Sequence, residues 1–357
     1  MVIYWLIFLI FAWLAIKHTW SIKSSEDVLE LFSFGAIYIF IVLVIGLRHE
    51  VGADWAAYQE HVDKMAGELF FKAFSSGDPA YAFLNWVGAN LGGGIYLVNT
   101  VCAAIFSWGL ITFARTQLRP WLVLVVATPY LITVVAMGYT RQGVAIGLAM
   151  VAMVALMRGS LPRFLFWLFC AALFHKSAII LAPIAVLASN ARLWISLPFV
   201  FMVTFGMYAL LLEDSVEALF REYIVAEYES SGATVRVSMN ALPALVFLGL
   251  RRRFSLPLNQ QVFWTWMSLV ALLFLVLLVI SPSSTAVDRA ALYFIPLQLF
   301  VWSRLPDALG NINGRNLGWT IFVLGYSAAV LFVWLLFAKN SYAWLPYQFY
   351  PWIFFWQ

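Results

Sequence analysis

Residues 261–280, QVFWTWMSLVALLFLVLLVI, form an apolar run without a single charged side chain. As an α-helix this run would extend about 30 Å, which matches the thickness of the hydrocarbon core of a bilayer. Comparable runs recur along the chain, of which 64% is hydrophobic and only 11% is charged. Soluble domains average about 25% charged residues. The sequence therefore predicts a polytopic integral membrane protein of the all-α class.

We expect about 11–13 transmembrane helices, some of them short or re-entrant, in one transmembrane domain over residues 1–357. The apolar segments have the approximate bounds 2–16, 31–47, 94–114, 120–138, 141–157, 161–174, 176–190, 193–212, 239–250, 261–280, 287–304 and 316–338. Residues 80–91 are also apolar, but twelve helical residues extend only about 18 Å, so a re-entrant or interfacial segment is expected there. Two large loops, 48–79 and 213–238, separate segments of this series.

Charged residues sort the connections between segments into two faces. One face holds 12 cations and 4 carboxylates, and the other holds 9 cations and 13 carboxylates. The positive-inside rule makes the first face cytoplasmic, which leaves both large loops outside, where amphipathic helices over a cavity are expected. A continuous helix over 161–190 would abolish this bias and place a cation near the bilayer centre, at a cost of at least ~2.5 kcal/mol. A hairpin broken at His175 is therefore preferred.

Four cations lie at the ends of apolar segments on the predicted outer face: Arg48, Arg141, Lys176 and Arg289. A cation beside hydrocarbon usually has an anionic ligand or partner. The planar guanidinium of arginine suits phosphate because it donates hydrogen bonds in a fork. The pattern predicts an anion site, although each cation also has a simpler interpretation as an interfacial or helix-capping residue.

Polar side chains accompany these cations. In residues 46–58, GLRHEVGADWAAY, Asp54 and Tyr58 are four residues apart and share a helical face. Asp54 either accepts a hydrogen bond from a sugar hydroxyl or caps the helix that it precedes. His175 is suited to accept a proton, or the His175-Lys176 pair is a structural hairpin cap.

Two further motifs complete the set. Gln142 follows Arg141 at a helix start, where open amides favour an anion. In residues 281–293, SPSSTAVDRAALY, Tyr293 follows Asp288 and Arg289, which either face a ligand or pair with each other. The sequence contains no glycine-rich phosphate loop, HExxH motif or Cys/His metal cluster. We therefore expect no metal, no cofactor and no nucleic-acid partner.

At these motifs the chain resembles the EpsG-type branch of the Wzy-like polysaccharide polymerases. The resemblance is carried by Arg48 with VGAD at 51–54 and Tyr58, by Arg141-Gln142, by HKSA at 175–178, and by Asp288-Arg289 with Tyr293. Ala53 departs from the family pattern, in which a small hydroxyl residue is expected. The resemblance implies a multi-pass protein of the bacterial inner membrane, with a fold similar to GT-C-like glycosyltransferases and an active site facing the periplasm.

The resemblance also implies an activity: transfer of glycan from an undecaprenyl-diphosphate-linked donor to a lipid-linked repeat unit, yielding O-antigen, exopolysaccharide or capsule. The expected base is His175, with Asp54 as the alternative. The expected diphosphate ligands are Arg48, Arg141, Lys176 and Arg289, and the expected glycan ligands are Tyr58, Gln142, Asp288 and Tyr293. Expected partners are the lipid bilayer and a chain-length regulator protein. A lipid-linked oligosaccharide flippase and a membrane glycan O-acyltransferase are the alternatives.

Overall fold

The computed structural model of the chain describes residues 1–18, 28–70, 77–188, 200–202, 205–206, 232–281, 283–311 and 314–356. Its α-helices are α1 (Val2–Lys17), α2 (Val28–Gly46), α3 (Trp55–Lys64), α4 (Pro79–Asn90), α5 (Gly94–Ala114), α6 (Pro120–Ala127), α7 (Thr140–Met157), α8 (Leu161–Phe174), α9 (Ala182–Ala188), α10 (Ala233–Leu250), α11 (Leu258–Ile280), α12 (Ser284–Ala291), α13 (Ile295–Leu309), α14 (Leu317–Phe337) and α15 (Tyr350–Trp356). A π-helix covers Thr128–Ala136, and 3-10 helices cover Lys176–Leu181, Arg251–Phe254, Leu292–Phe294 and Ser341–Trp344. Two short strands, β1 (Arg48–His49) and β2 (Gln348–Phe349), pair antiparallel.

Five of these helices are long and apolar enough to cross a membrane: α5, α7, α10 with its 3-10 extension, α11 and α14. Shorter apolar helices are α1, α2, α6 with the π-helix, and α8. The prediction of an all-α polytopic membrane protein is thus confirmed. The predicted segment 193–212 and the acidic part of the loop 213–238 lie largely or wholly outside the described residues.

The start predicted for the segment 239–250 is wrong. Helix α10 begins six residues earlier, at Ala233. The first turns of α10 contain Arg236, whose charge favours a loop when the sequence is read alone. In the structure Arg236 forms an ion pair with Asp288, so the charge is compensated inside the helical region.

The predicted break at His175 is present. Helix α8 ends at Phe174, His175 has an extended backbone (φ −159°, ψ 113°), and a 3-10 helix follows. A continuous α-helix over 161–190 is therefore ruled out. That the chain reverses its direction at this break, as a hairpin does, stays a prediction. Three prolines lie where the helix type changes. Pro129 is the second residue of the π-helix, and Pro183 and Pro296 are the second residues of α9 and α13.

Helix α7 lies at the centre of the bundle and packs against α5 and α8. Almost all its residues are buried, and glycines allow a close approach to α5. A Cβ atom at Gly109 would clash with the carbonyl oxygen of Gly147, so neither helix tolerates a side chain there. Gly147 therefore serves close helix packing.

The central helix also defines two ends of the molecule. Arg141 lies in the first turn of α7, and Arg158 caps its last turn. We call these the site end and the arginine end. The arginine end also holds the three arginines at 251–253, which follow α10, while Arg236 lies in the first turns of that helix. Charges that the sequence assigned to different faces thus lie at different ends of the bundle, and which end faces outward stays a prediction.

The C-terminal residues form part of the site end, which sequence analysis did not predict. Strand β2 pairs with β1, and the Gly52 amide donates to the Ala343 carbonyl at 2.8 Å. The buried Trp344 indole donates to the Thr133 carbonyl of the π-helix at 2.7 Å. These bonds hold the turn at Gly52 (φ +110°), a conformation that favours glycine. The C-terminal segment therefore fixes the loop that carries Asp54.

Candidate active site

Asp78 is the residue around which the site is built. It precedes Pro79 at the start of α4 and is 6% exposed. Its Oδ2 accepts a hydrogen bond from Nη1 of Arg141 at 3.0 Å, and its Oδ1 accepts one from the Lys176 amide at 3.3 Å. Nδ1 of His175 lies 3.6 Å from Oδ2, slightly beyond hydrogen-bond length. Asp78 thus joins the start of α7 to the break that follows α8.

Two opposing influences set the ionisation of Asp78. Burial favours the neutral acid, whereas the His175 ring, the Arg141 guanidinium and the Lys176 amide favour the carboxylate. The second group prevails, so the pKa of Asp78 is lowered from its usual value. At neutral pH Asp78 is therefore an anion that holds the Arg141 guanidinium in place.

Arg141 is anchored on one side and open on the other. Its side chain is 36% exposed, although Nη1 is bound to Asp78. The Tyr81 ring centroid lies 5.7 Å from the guanidinium carbon, and the Tyr58 hydroxyl interacts with the same group. Arg141 also lies in the first turn of α7, where open backbone amides add positive potential. An anion in the adjacent space would meet a preoriented guanidinium.

Arg289 supplies a second cation close to Arg141. Its guanidinium carbon lies 4.0 Å from the ring centroid of Tyr139, and it makes no ion pair with any carboxylate of the described residues. The buried Gln142 amide donates to the Arg289 carbonyl oxygen at 2.6 Å. Gln142, predicted to bind glycan, therefore links α7 to α12 and positions Arg289.

Asp54 lies beside both arginines. It precedes α3 but makes no side-chain capping bond, so the capping interpretation is not supported. Burial raises the pKa of Asp54, and the charges of Arg289 and Arg141 only partly offset that effect. A half-buried carboxyl without a capping role, which interacts electrostatically with two cations, is suited to accept a hydrogen bond from a bound hydroxyl.

Two residues predicted to bind glycan, Asp288 and Tyr293, interact with other side chains of the protein. Asp288 does not pair with Arg289; its oxygens accept hydrogen bonds from Nε and Nη2 of Arg236 at 2.8 and 2.6 Å. Tyr293 is fully buried, and its hydroxyl lies 3.2 Å from the Ser177 hydroxyl. Both residues fix the surroundings of Arg289 and Lys176, and this geometry does not support direct glycan binding by either of them.

Arg48 is the predicted diphosphate ligand that the structure separates from the others. It is fully buried and donates to the carbonyls of Val51 and Ile45 at 3.2 and 2.6 Å. Its Nη2 donates to Asn99 Oδ1 at 3.4 Å and to Thr140 Oγ1 at 2.8 Å. With these donors satisfied inside the protein, direct diphosphate binding by Arg48 is not supported. Through Thr140, Arg48 instead anchors the start of α7 and hence Arg141.

An aromatic cluster flanks the site beside α3. The rings of Tyr96 and Tyr350 are stacked with centroids 3.7 Å apart, and Nδ1 of His49 lies 2.6 Å from the Tyr96 hydroxyl. The half-buried Trp55 packs against His49 and Tyr96. Trp55 therefore offers an aromatic face for a sugar ring, whereas Tyr58, expected to contact glycan, is 5% exposed and packs on Tyr81.

Sequence reasoning missed Asp78, and it did not predict that Asp288 is the partner of Arg236. Asp78-Pro79 is a recognisable helix start, since proline favours the first helical position. That signal predicts α4 but not the contacts of Asp78 with residues far along the chain. Among the described residues, no group of three His, Cys, Asp or Glu side chains is placed to hold a metal ion.

Fold and site together define a class: a multi-pass all-α membrane protein in which cations, a histidine and carboxylates converge at one end of the helix bundle. The chain belongs to the EpsG family, whose model matches residues 31–349. That range includes all the cations, carboxylates and hydroxyls of the site. Membership fits a polysaccharide-polymerase type of role. Comparisons with curated proteins and with solved structures give no match.

Proposed function

We propose that the chain is a polysaccharide polymerase, which transfers a glycan from an undecaprenyl-diphosphate-linked donor to a lipid-linked repeat unit. The observation that carries this proposal is the convergence of Arg141, Asp78 and His175, which come from three separate parts of the chain. A leaving diphosphate requires cations with exposed donors, and an attacking hydroxyl requires a base. The site end holds both within one cluster.

In the proposed reaction the acceptor hydroxyl oxygen attacks the anomeric carbon of the donor sugar. The bond between that carbon and the diphosphate oxygen breaks, and undecaprenyl diphosphate leaves as an anion. Arg141 and Arg289 stabilise this developing charge, with Lys176 at the break after α8 as a third cation. Because Asp78 and Tyr139 hold the two guanidiniums in place, little reorganisation accompanies bond breaking.

The proton of the acceptor hydroxyl passes to His175. Nδ1 of His175 is buried near Asp78, so the exposed part of the ring lies on its other side, where Nε2 meets the acceptor. The anionic Asp78 stabilises the protonated imidazole electrostatically and orients it, as carboxylates do beside catalytic histidines. Asp78 is in this scheme a positioning residue.

The proposal places this reaction at the outer face of a bacterial inner membrane. Its support is the charge pattern, since the arginine end carries Arg158 and the three arginines at 251–253 and is the expected cytoplasmic end. A donor and acceptor that are both lipid-linked reach such a site from within the bilayer.

The direct test uses purified protein with synthetic lipid-diphosphate repeat units. A ladder of lengthened products from wild-type protein, absent for Arg141→Ala and His175→Ala, would support the polymerase. The matched control is Arg158→Ala, which removes an exposed arginine at the other end of the same helix. Movement of unchanged substrate between leaflets of proteoliposomes would favour the flippase, and transfer of an acyl group would favour the acyltransferase.

A further inference from the structure

A groove of about 940 Å³ opens between α10 and α14 and is backed by the π-helix. Its walls are mainly apolar and include Met239, Leu242, Val330, Val333 and Phe337. Several of these side chains are also exposed, with Leu242 at 45% and Val333 at 51%. The groove is therefore an accessible apolar channel along the side of the bundle.

The charged side chains that line the groove lie at one end of it. Arg236, at the start of α10, lines it together with Lys339 and Asn340, which follow the end of α14. The helices run antiparallel, so these residues meet at the site end of the molecule. Lys339 makes no ion pair with a carboxylate of the described residues. A ligand that matches this surface has an anionic head at the site end and an apolar tail beside the helices.

The polar end of the groove adjoins the active site. Tyr139 lines the groove, and its ring lies under the guanidinium of Arg289. Arg236 binds Asp288, the neighbour of Arg289 in sequence. A head group at this end of the groove is thus separated from the Arg289 cation by a single aromatic ring.

The length of the groove fits insertion from the outer surface. Along α14 and its extension the lining residues run from Tyr326 to Lys339, a distance of about 20 Å at the helical rise. The hydrocarbon core is about 30 Å thick, so the groove reaches beyond the bilayer middle from the site end. An apolar groove that extends this deep into the bilayer suits a lipid tail and does not suit a free oligosaccharide.

We propose that this groove binds the isoprenoid tail of a lipid-diphosphate substrate, with the diphosphate at the end lined by Lys339 and Tyr139, next to the Arg289 cation. The inference rests on the proposed function, and it names the surface through which the substrate enters from the membrane. Ordinary phospholipids are the competing occupants, and the experiments distinguish them.

The first experiment is site-specific photocrosslinking with two matched positions on α10. Leu242 and Leu245 are both exposed leucines, but only Leu242 lines the groove. With p-benzoylphenylalanine at 242, radiolabelled undecaprenyl diphosphate should be captured, and unlabelled undecaprenyl diphosphate should compete while phosphatidylglycerol does not. The variant at 245 should give only background labelling. Equal labelling at both positions, or equal competition by phosphatidylglycerol, would overturn the proposal.

The second experiment separates the tail site from the chemistry. Leu242→Trp should raise KM for the undecaprenyl donor at least about tenfold, the loss expected when about two methylene groups are no longer buried. For a donor with a short citronellyl tail, Leu242→Trp should leave KM within the experimental scatter of the wild-type value. Leu245→Trp should give wild-type KM values with both donors. An equal effect of Leu242→Trp on both donors would contradict the tail site. Absence of turnover in the wild-type protein would instead contradict the proposed function.

Discussion

Two arginine–aspartate pairs, one at each end of the bundle, show how the same residue types serve different roles. At the arginine end, Nε and Nη2 of Arg119 each donate to Asp307 at 2.8 Å, and both side chains are 4% exposed. At the site end, Arg141 makes a single hydrogen bond to Asp78 and is 36% exposed. A closed bidentate pair stabilises structure, whereas an open pair leaves donors for a ligand.

The surroundings of the two carboxylates extend the comparison. Asp307 also interacts with the Asn316 amide at 3.4 Å, and Arg119 donates to the Gly314 carbonyl, so neutral partners complete that pair. Asp78 is instead shared among Arg141, His175 and the Lys176 amide. The charge of Asp78 thus orients several groups, and Arg141 and His175 keep hydrogen-bonding capacity for a ligand. A reactive site requires this arrangement.

The largest effect is expected from breaking the closed pair. Arg119→Ala leaves Asp307 buried without its cation, which costs about 3–5 kcal/mol in comparable buried pairs. The free energy of unfolding in detergent should fall accordingly, while turnover per folded molecule stays near wild type. Arg163→Ala, which removes an exposed arginine near the same end, is the control. An unchanged unfolding free energy would show that the pair at Arg119 is not structural.

Breaking the open pair should reverse that pattern. Arg141→Ala removes the preoriented donor for the diphosphate, and polymer formation should fall by about 10²–10³, the loss seen when one transition-state donor is removed. Arg141→Lys should recover only part of the activity, because lysine has no planar fork. Arg158→Ala serves as control on the same helix. A normal product ladder from Arg141→Ala would remove this residue from the mechanism.

Asp78→Asn tests the shared carboxylate. The plateau rate should fall by about 10–100-fold, or ~1.4–2.7 kcal/mol, since the histidine loses its anionic neighbour. The loss should appear in kcat per folded molecule, measured with the product ladder. A purely structural role for Asp78 would lower folded yield without changing turnover per folded molecule. The control is Asp63→Asn, an exposed aspartate whose side chain accepts a hydrogen bond from Gln59.

The site also shows which features could be predicted from the sequence and which could not. Apolar length predicted the class of fold, and the charged His175-Lys176 pair inside an apolar stretch predicted the helix break, since both depend on neighbouring residues. The burial of Arg48 depends on Asn99 and Thr140, which lie 51 and 92 residues away. No local pattern distinguishes such an arginine from one that faces a ligand. The role of Asp78 was missed for the same reason.

The smallest effect is expected at Asp54, which contrasts with Asp78 in the direction of its pKa. The pKa of Asp78 is lowered, so its contribution to stability is present above its unfolded value and is lost as pH falls through the folded value. The pKa of Asp54 is raised from 3.8, so its ionisation costs stability at neutral pH, and that cost is relieved as pH falls through the raised value.

Asp54→Asn should therefore leave the thermal midpoint at pH 7 unchanged or slightly higher, and Asp78→Asn should lower it. Because His175 is the proposed base, Asp54→Asn should reduce turnover by less than about tenfold, or ~1.4 kcal/mol. Thermal unfolding in detergent and product ladders measured across pH provide both readouts. If turnover of Asp54→Asn is lost at every pH while His175→Ala retains it, the base is Asp54, and the open pair at Asp78 serves only to bind the diphosphate.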